Sequence, residues 1–392
     1  MRRTLFLICL GLLLCSPSAF AGPGAELLKC AHMDQTTCPA LKEALAAPGN
    51  AAAEVGQALT DSSTSSQKVA TAGVALGLLL GSKAGPVLYK AAQAHPKGGL
   101  TRVELMAAAA RNGIKDAAPE LLMVVSKKSE MRAMVLSMGG LAALQHKAAA
   151  EPIRTLLSQS TGRIQAAAAH ALQSLGSKAD VDALLTLAAG KFETFVPART
   201  MALETLTKLD PKRAVSVAVR LVDHPSRAVG RAALKVIAAA PLRWSLPVVK
   251  FGLQTPGLRG NAALAAVAHK ALGREVLIAA LSGDLTTDER SWLLHALSQL
   301  KPLGASEALI GRFDKLTNQA KIEILKALPL LKDQTVVPTL VRTLEASKAP
   351  VANYVVYALE NVTGERLGDN VDAWRSYAGF DKEPPSAPVE GP

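Results

Sequence analysis

The side chains of this 392-residue sequence best suited to bind a metal or drive a reaction are seven histidines and four cysteines. His32, His95, His146, His170, His224, His269 and His295 lie far apart. None belongs to an H-E-x-x-H pair, which sets two imidazoles on one helix face around zinc. They read as structural or surface groups. Cys30 and Cys38 flank His32, so two thiolates and an imidazole could begin a metal site. A fourth ligand is missing, and the cysteine spacing exceeds that usual in zinc sites. Gly81-Ser82-Lys83-Ala84-Gly85 has the residue types of an anion-binding turn. It follows a helical stretch, whereas a phosphate-cradling loop follows a strand. Neither a G-x-x-x-x-G-K-[ST] loop nor a G-x-S-x-G nucleophile elbow occurs. Asp288 and Glu289 fall where a first helical turn favours negative charge, so they need no acid–base role. The expectation is no catalytic residue, no metal and no cofactor.

What remains is charge placed on a repeating scaffold. Apolar stretches recur with Pro86, Pro119, Pro152, Asp182, Val215, Pro247, Val276, Ala308 and Pro338 in their first turns. The spacing is roughly 29 to 33 residues, the period of stacked helix pairs. Proline suits a first turn because the N–H it lacks would have had no acceptor there. The first helices align as well: Val69–Leu80, Val103–Asn112, Met131–Leu144, Arg163–Leu175, Ala198–Leu209, Ala228–Ala239, Arg259–Leu272, Arg290–Leu300 and Gln319–Leu331 each precede one of these landmarks, and Ala352–Val362 follows the last. In Arg163–Leu175, the residues Ile164, Ala168, Ala171, Leu172 and Leu175 form one apolar face. Gly176 is expected to end that helix in the left-handed region, with Ser177 or Asp180 capping the next. Aromatic residues make up only 4% of the chain and alternating β-branched runs are absent, which argues against a β fold.

The blocks Arg163–Leu175 and Arg227-Ala228-Val229-Gly230-Arg231-Ala232-Ala233-Leu234 resemble the first helix of the HEAT repeat family. The resemblance is to its short bacterial variant, also found in phycobilin lyases, and it covers roughly residues 63 to 380. It implies an all-α superhelix: a right-handed solenoid of about nine to ten helix pairs. The lyase relatives supply no bilin-handling motif at a particular position here. In such solenoids the second helices commonly line the concave side. Lys90, Arg154, Arg220, Lys250, Arg312 and Arg342 follow the second-helix landmarks and would form a basic stripe there if they faced inward together. The alternative is a scatter of solvated cations, and counting charge does not separate the two.

The ends of the chain are different. Arg2 and Arg3 precede the apolar run Leu5–Leu14, and Ala19-Phe20-Ala21 offers small residues for cleavage, so residues 1–21 read as a signal peptide. Leu12-Leu13-Leu14-Cys15 approximates a lipoprotein signal, though Leu14 is bulky there. Export places the mature protein in the periplasm or outside the cell, an oxidising setting in which Cys30 and Cys38 are expected to form a disulfide. That bridge would staple an N-terminal helical cap over residues 22–62. Trp374 and Tyr377 are expected to close the far end of the repeats over residues 63–380. In many bacterial HEAT proteins a tryptophan covers the last repeat. The Pro-rich tail 381–392 is expected to be disordered.

Net charge is +12, or +10 (12 − 2) once Arg2 and Arg3 are removed, which favours anionic surfaces. No later apolar run is long and uncharged enough to span a bilayer. Nucleic acid is disfavoured, because single-strand binders interleave aromatic with basic residues. The sequence thus predicts a non-catalytic exported scaffold that binds a protein partner in the bacterial envelope. The alternative is a binder of anionic glycan or lipid, and an enzyme or lyase-type maturation factor is the weakest of the three.

Overall fold

The computed structural model describes residues 39–61, 65–160, 162–190, 195–281, 285–300 and 305–380, with the single positions Glu26, Lys29 and Gly283. The expected leader 1–21 with Cys15, the trio Cys30, His32 and Cys38, and the tail 381–392 lie outside the described residues. Every regular element among the described residues is helical. The chain divides into two compact units, residues 1–205 and 206–392, with the division inside the helix Val196–Leu209.

In the first unit the short helices Pro39–Ala46 and Pro48–Ala58 precede a series of pairs. First helices are Ser66–Leu80, Leu100–Arg111, Met131–Ala143 and Gly162–Leu175; their partners are Ala84–Gln93, Ala118–Ser126, Ala150–Gln159 and Val181–Ala189. First helices pack on first helices and second on second, from one pair to the next. The second unit repeats the scheme. Its first helices are Arg227–Ala239, Arg259–Ala268, Thr287–Gln299, Asn318–Leu331 and Val351–Thr363. Pro211–Leu221 precedes them, and Leu246–Gln254, Ala271–Ala280, Ala305–Ile310, Val337–Ala346 and Val371–Tyr377 follow each in turn. Each unit is therefore a stack of helix pairs, the architecture that the HEAT resemblance implies.

Alanine and leucine fill the interior of both stacks, as with Ala168, Ala171 and Leu172 in the first and Ala262, Ala266 and Leu297 in the second. Small side chains let helix axes approach closely while favouring the helix itself. Helix starts are set locally. Ser65, Asp210 and Thr317 each accept a backbone N–H three residues on, while Thr286 and Glu289 form a reciprocal capping box.

Several boundaries differ from the sequence reading. Many second helices begin with a 3-10 turn, as at Lys115–Ala117, Lys147–Ala149 and Lys178–Asp180. Val215 and Val276 sit beyond the first turns of Pro211–Leu221 and Ala271–Ala280, because these helices start earlier than the period alone indicates. Gly176 is not left-handed; its N–H bonds Leu172 O at 2.9 Å, and the next turn is held by a Ser177–Asp180 capping box. Left-handed backbone falls instead at Gly113, Gln145, Lys270 and Lys332.

The stretch expected as one helix to Leu272 stops at Ala268. Lys270, at φ 55°, reverses the chain within two residues. So sharp a return presses the second helix against the first, and a Cβ on Gly273 would sit 1.7 Å from Ala266 O. A backbone oxygen cannot retreat as a flexible side chain can. Gly273→Ala is expected to destabilise the second unit by about 3 kcal/mol, the upper range of overpacking. Urea unfolding followed by circular dichroism checks this, and a change below about 0.5 kcal/mol, the range of neutral surface changes, would refute the packing argument.

A recurring arginine joins successive pairs. Near the start of a first helix, it reaches back to the C-terminal carbonyls of the preceding second helix, groups with no intrahelical donor. Arg102 Nη1 donates to Ala92 O at 3.2 Å and His95 O at 3.0 Å. Arg259 Nε donates to Leu253 O at 3.2 Å, and Arg290 Nη1 to Leu281 O at 2.8 Å. Each also holds a carboxylate. Arg102 grips Glu120 in two-pronged fashion at 2.7 and 2.9 Å, Arg290 holds Glu323 at 2.8 Å, and Arg259 pairs with Glu289.

Candidate functional site

The second unit exposes large apolar side chains on neighbouring first helices. Trp292 on Thr287–Gln299 is 57% exposed, Leu264 on Arg259–Ala268 is 54%, and Leu330 on Asn318–Leu331 is 59%. The helical pattern causes this. Arg290, Leu293, Leu294 and Leu297 turn inward, so Trp292, His295 and Gln299 must share the opposite side. Two open grooves, each about 500 Å³, lie on either side of Trp292. One runs toward Leu264 and Arg231; the other runs toward Leu330 and Lys326. Trp292 and His295 belong to both.

The two carboxylates that line the grooves, Glu289 and Glu323, are already engaged. Burial pushes the Glu289 carboxyl up, but the Thr286 backbone bond and the hydrogen bond and charge of Arg259 outweigh it. The group is held below its ordinary value of 4.5. Burial likewise raises Glu323, while Gln319, Thr287 and the charge of Arg290 bring it below 4.5. A depressed carboxylate adds stability that is present above the unfolded value and is lost as pH falls through the folded one. The second unit is therefore expected to lose stability as pH drops below about 4.5, and Glu323→Gln should flatten that decline in a thermal-melt series. An unchanged slope would count against it.

The basic residues singled out in the sequence are not all free to bind. Arg154 is held by buried Asp180 and by Glu151, and the Asp180 bond raises its affinity for the proton above the ordinary value. Arg312 lies past the end of Ala305–Ile310, at the start of the turn Phe313–Lys315, and donates to Ile278 O at 2.6 Å. Arg342 stacks on Phe380 with 5.2 Å to the ring centroid. Lys90, Arg220 and Lys250 are exposed on second helices. Lys90 and Arg154 belong to the first unit and the other four to the second.

The histidines are dispersed. His95 Nε2 lies 2.6 Å from Leu59 O in a buried setting. His269 Nδ1 lies 2.8 Å from Ala265 O, and its Nε2 lies 3.2 Å from the Ser245 hydroxyl and 3.1 Å from Leu242 O, so the ring is held by local structural contacts. Among the described residues no three His, Cys, Asp or Glu side chains gather as a metal would require. None of their helices is long and apolar enough to cross a membrane.

Trp374 is wholly buried, and its Nε1 donates to Gly368 O at 2.8 Å. Tyr377 meets it edge-on at 5.8 Å and stays half-exposed. The face around Trp292 escaped the sequence reading, which followed the inward-facing periodicity. Its signal was an aromatic one residue out of phase with Leu293.

No protein-family model matches the chain, and no curated protein does. Among solved structures, it resembles the complex of CpcE and CpcF of phycocyanin lyase from Nostoc sp. PCC7120, at 17% identity over 71% of this chain and 94% of that one, with a TM-score of 0.35. It also resembles the karyopherin Kap121p, at 13% identity over 88% of this chain and 46% of that one, TM-score 0.43. The same karyopherin bound to the SUMO protease Ulp1p gives 13% identity, 92% and 47% coverage, and a TM-score of 0.41. The chain spans less than half of the karyopherin's length. At these scores the fold rests on the chain's own helix pairing.

Proposed function

We propose that this protein is a non-catalytic scaffold, exported to a bacterial envelope, that binds a protein partner. The observation that carries the reading is the exposure of Trp292, Leu264 and Leu330 around two grooves on one unit. Contiguous exposed apolar surface with a polar rim is characteristic of protein docking sites. Support for export comes from Arg2, Arg3, the run Leu5–Leu14 and Ala19-Phe20-Ala21. The test is a photo-crosslinking residue in place of Gln299, at the groove edge, in intact cells. Covalent capture of one envelope protein, lost with Trp292→Ala, is the expected result. Retention of the protein in the cytoplasm, or no Trp292-dependent adduct, would overturn the reading.

A second reading, an anionic glycan or lipid partner, is favoured by one observation in the first unit. Lys83, Lys115, Lys147 and Lys178 are exposed at corresponding turns between first and second helices, one for each successive pair. Lys147 already donates to Ser174 O at 3.0 Å, as a helix-end cap does. Exposed charges are screened by salt. Vesicle or glycan binding that does not weaken with added salt would dismiss this alternative.

A further inference from the structure

Building on the docking reading above, we propose that the Trp292 face accepts an amphipathic helix whose apolar side chains are bordered by carboxylates. Two features define the occupant. The first is spacing. The grooves flank a single first helix, so their centres lie about one helix-to-helix distance apart, roughly 10 Å. Two residues seven apart on a helix are separated by about 10.5 Å along its axis. One helix laid across Trp292 can therefore place an apolar side chain in each groove, with a residue between them against the indole.

The second feature is charge. Glu289 and Glu323 line the grooves but are occupied by Arg259 and Arg290. Arg231 on one side, Lys326 on the other and His295 between them are exposed. None of the three forms an ion pair with a described residue; Lys326 sits 4.8 Å from the Tyr354 ring centroid. The apolar floor is thus rimmed by two cations, Arg231 and Lys326, that no groove-lining carboxylate pairs. A carboxylate-bordered helix matches that rim in both sign and position. A second copy would set the same cations against each other, which selects against self-association through this face.

The test uses the full chain carrying Trp244→Phe, so that Trp292 is its one exposed tryptophan alongside buried Trp374. Two synthetic amphipathic peptides share leucines at i, i+3 and i+7; one is bordered by glutamates and the other by lysines. Trp292 emission and calorimetry report binding. The glutamate peptide is expected to bind at least about tenfold more tightly than the lysine peptide. Arg231→Glu with Lys326→Glu should reverse that order, and Trp292→Ala should weaken the glutamate peptide by at least about tenfold, as for a central aromatic anchor. These three positions are exposed, and circular dichroism confirms that the variants fold. Equal affinity for both peptides, lost with Trp292→Ala, would overturn the charge assignment and leave protein docking intact. Failure of both peptides to bind in a Trp292-dependent way would overturn the proposal, and self-association abolished by Trp292→Ala would assign the face to a second copy.

Discussion

Trp374→Ala is expected to lower the stability of the second unit by about 3–5 kcal/mol, the usual cost of emptying a buried aromatic site. The indole has no exposed surface, lies on the last short helix Val371–Tyr377, and bonds Gly368 O. That helix packs on Val337–Ala346, so the ring closes an end that would otherwise present leucine and valine to water. Trp374→Phe keeps most of the apolar contact and loses the hydrogen bond, at an expected cost of about 1–3 kcal/mol. Denaturant melts read by circular dichroism, with the two units resolved if they unfold separately, distinguish these values. A loss under about 1 kcal/mol for the alanine variant, no more than an average substitution, would mean that the tryptophan does not seal the stack.

Arg290→Met should cost about 3–5 kcal/mol, because it takes the cation from the Glu323 carboxylate and the donors from the Leu281 and Leu285 carbonyls together. The arginine and Glu323 side chains are only 7% and 13% exposed, so water replaces little of what is lost. Arg290→Met with Glu323→Leu should recover much of the deficit, since removing both charges eliminates the unpaired one. Melting temperatures of the single and double variants form the cycle. A double variant no better than Arg290→Met would show that capping the Leu281 carbonyl, and not the ion pair, is the larger contribution.

The fold was largely legible because its signal is redundant. Ile164, Ala168, Ala171 and Leu172 repeat in other pairs at the same phase, and the prolines at Pro119, Pro247 and Pro338 occupy first turns. Boundaries were less legible. The left-handed residues Gln145, Lys270 and Lys332 are not glycines, and nothing in their side chains announces a reversal. The candidate site was obscured for a different reason. Periodicity identifies what is buried, whereas Trp292 and Leu330 matter because they are not. The basic stripe was hardest to judge from sequence, since charge type does not distinguish Arg154, committed to Asp180, from exposed Lys250. Pairing of that kind depends on residues 26 apart in the chain.

The arginine links between successive helix pairs carry a consequence for how the stack opens. Arg259 and Arg290 each tie the tail of the preceding second helix to a carboxylate on the following first helix. Fraying of one pair must therefore break attachments in the segments before and after it. Such coupling makes partial opening cooperative over several helices, so amide protection should change in blocks wider than a single hairpin.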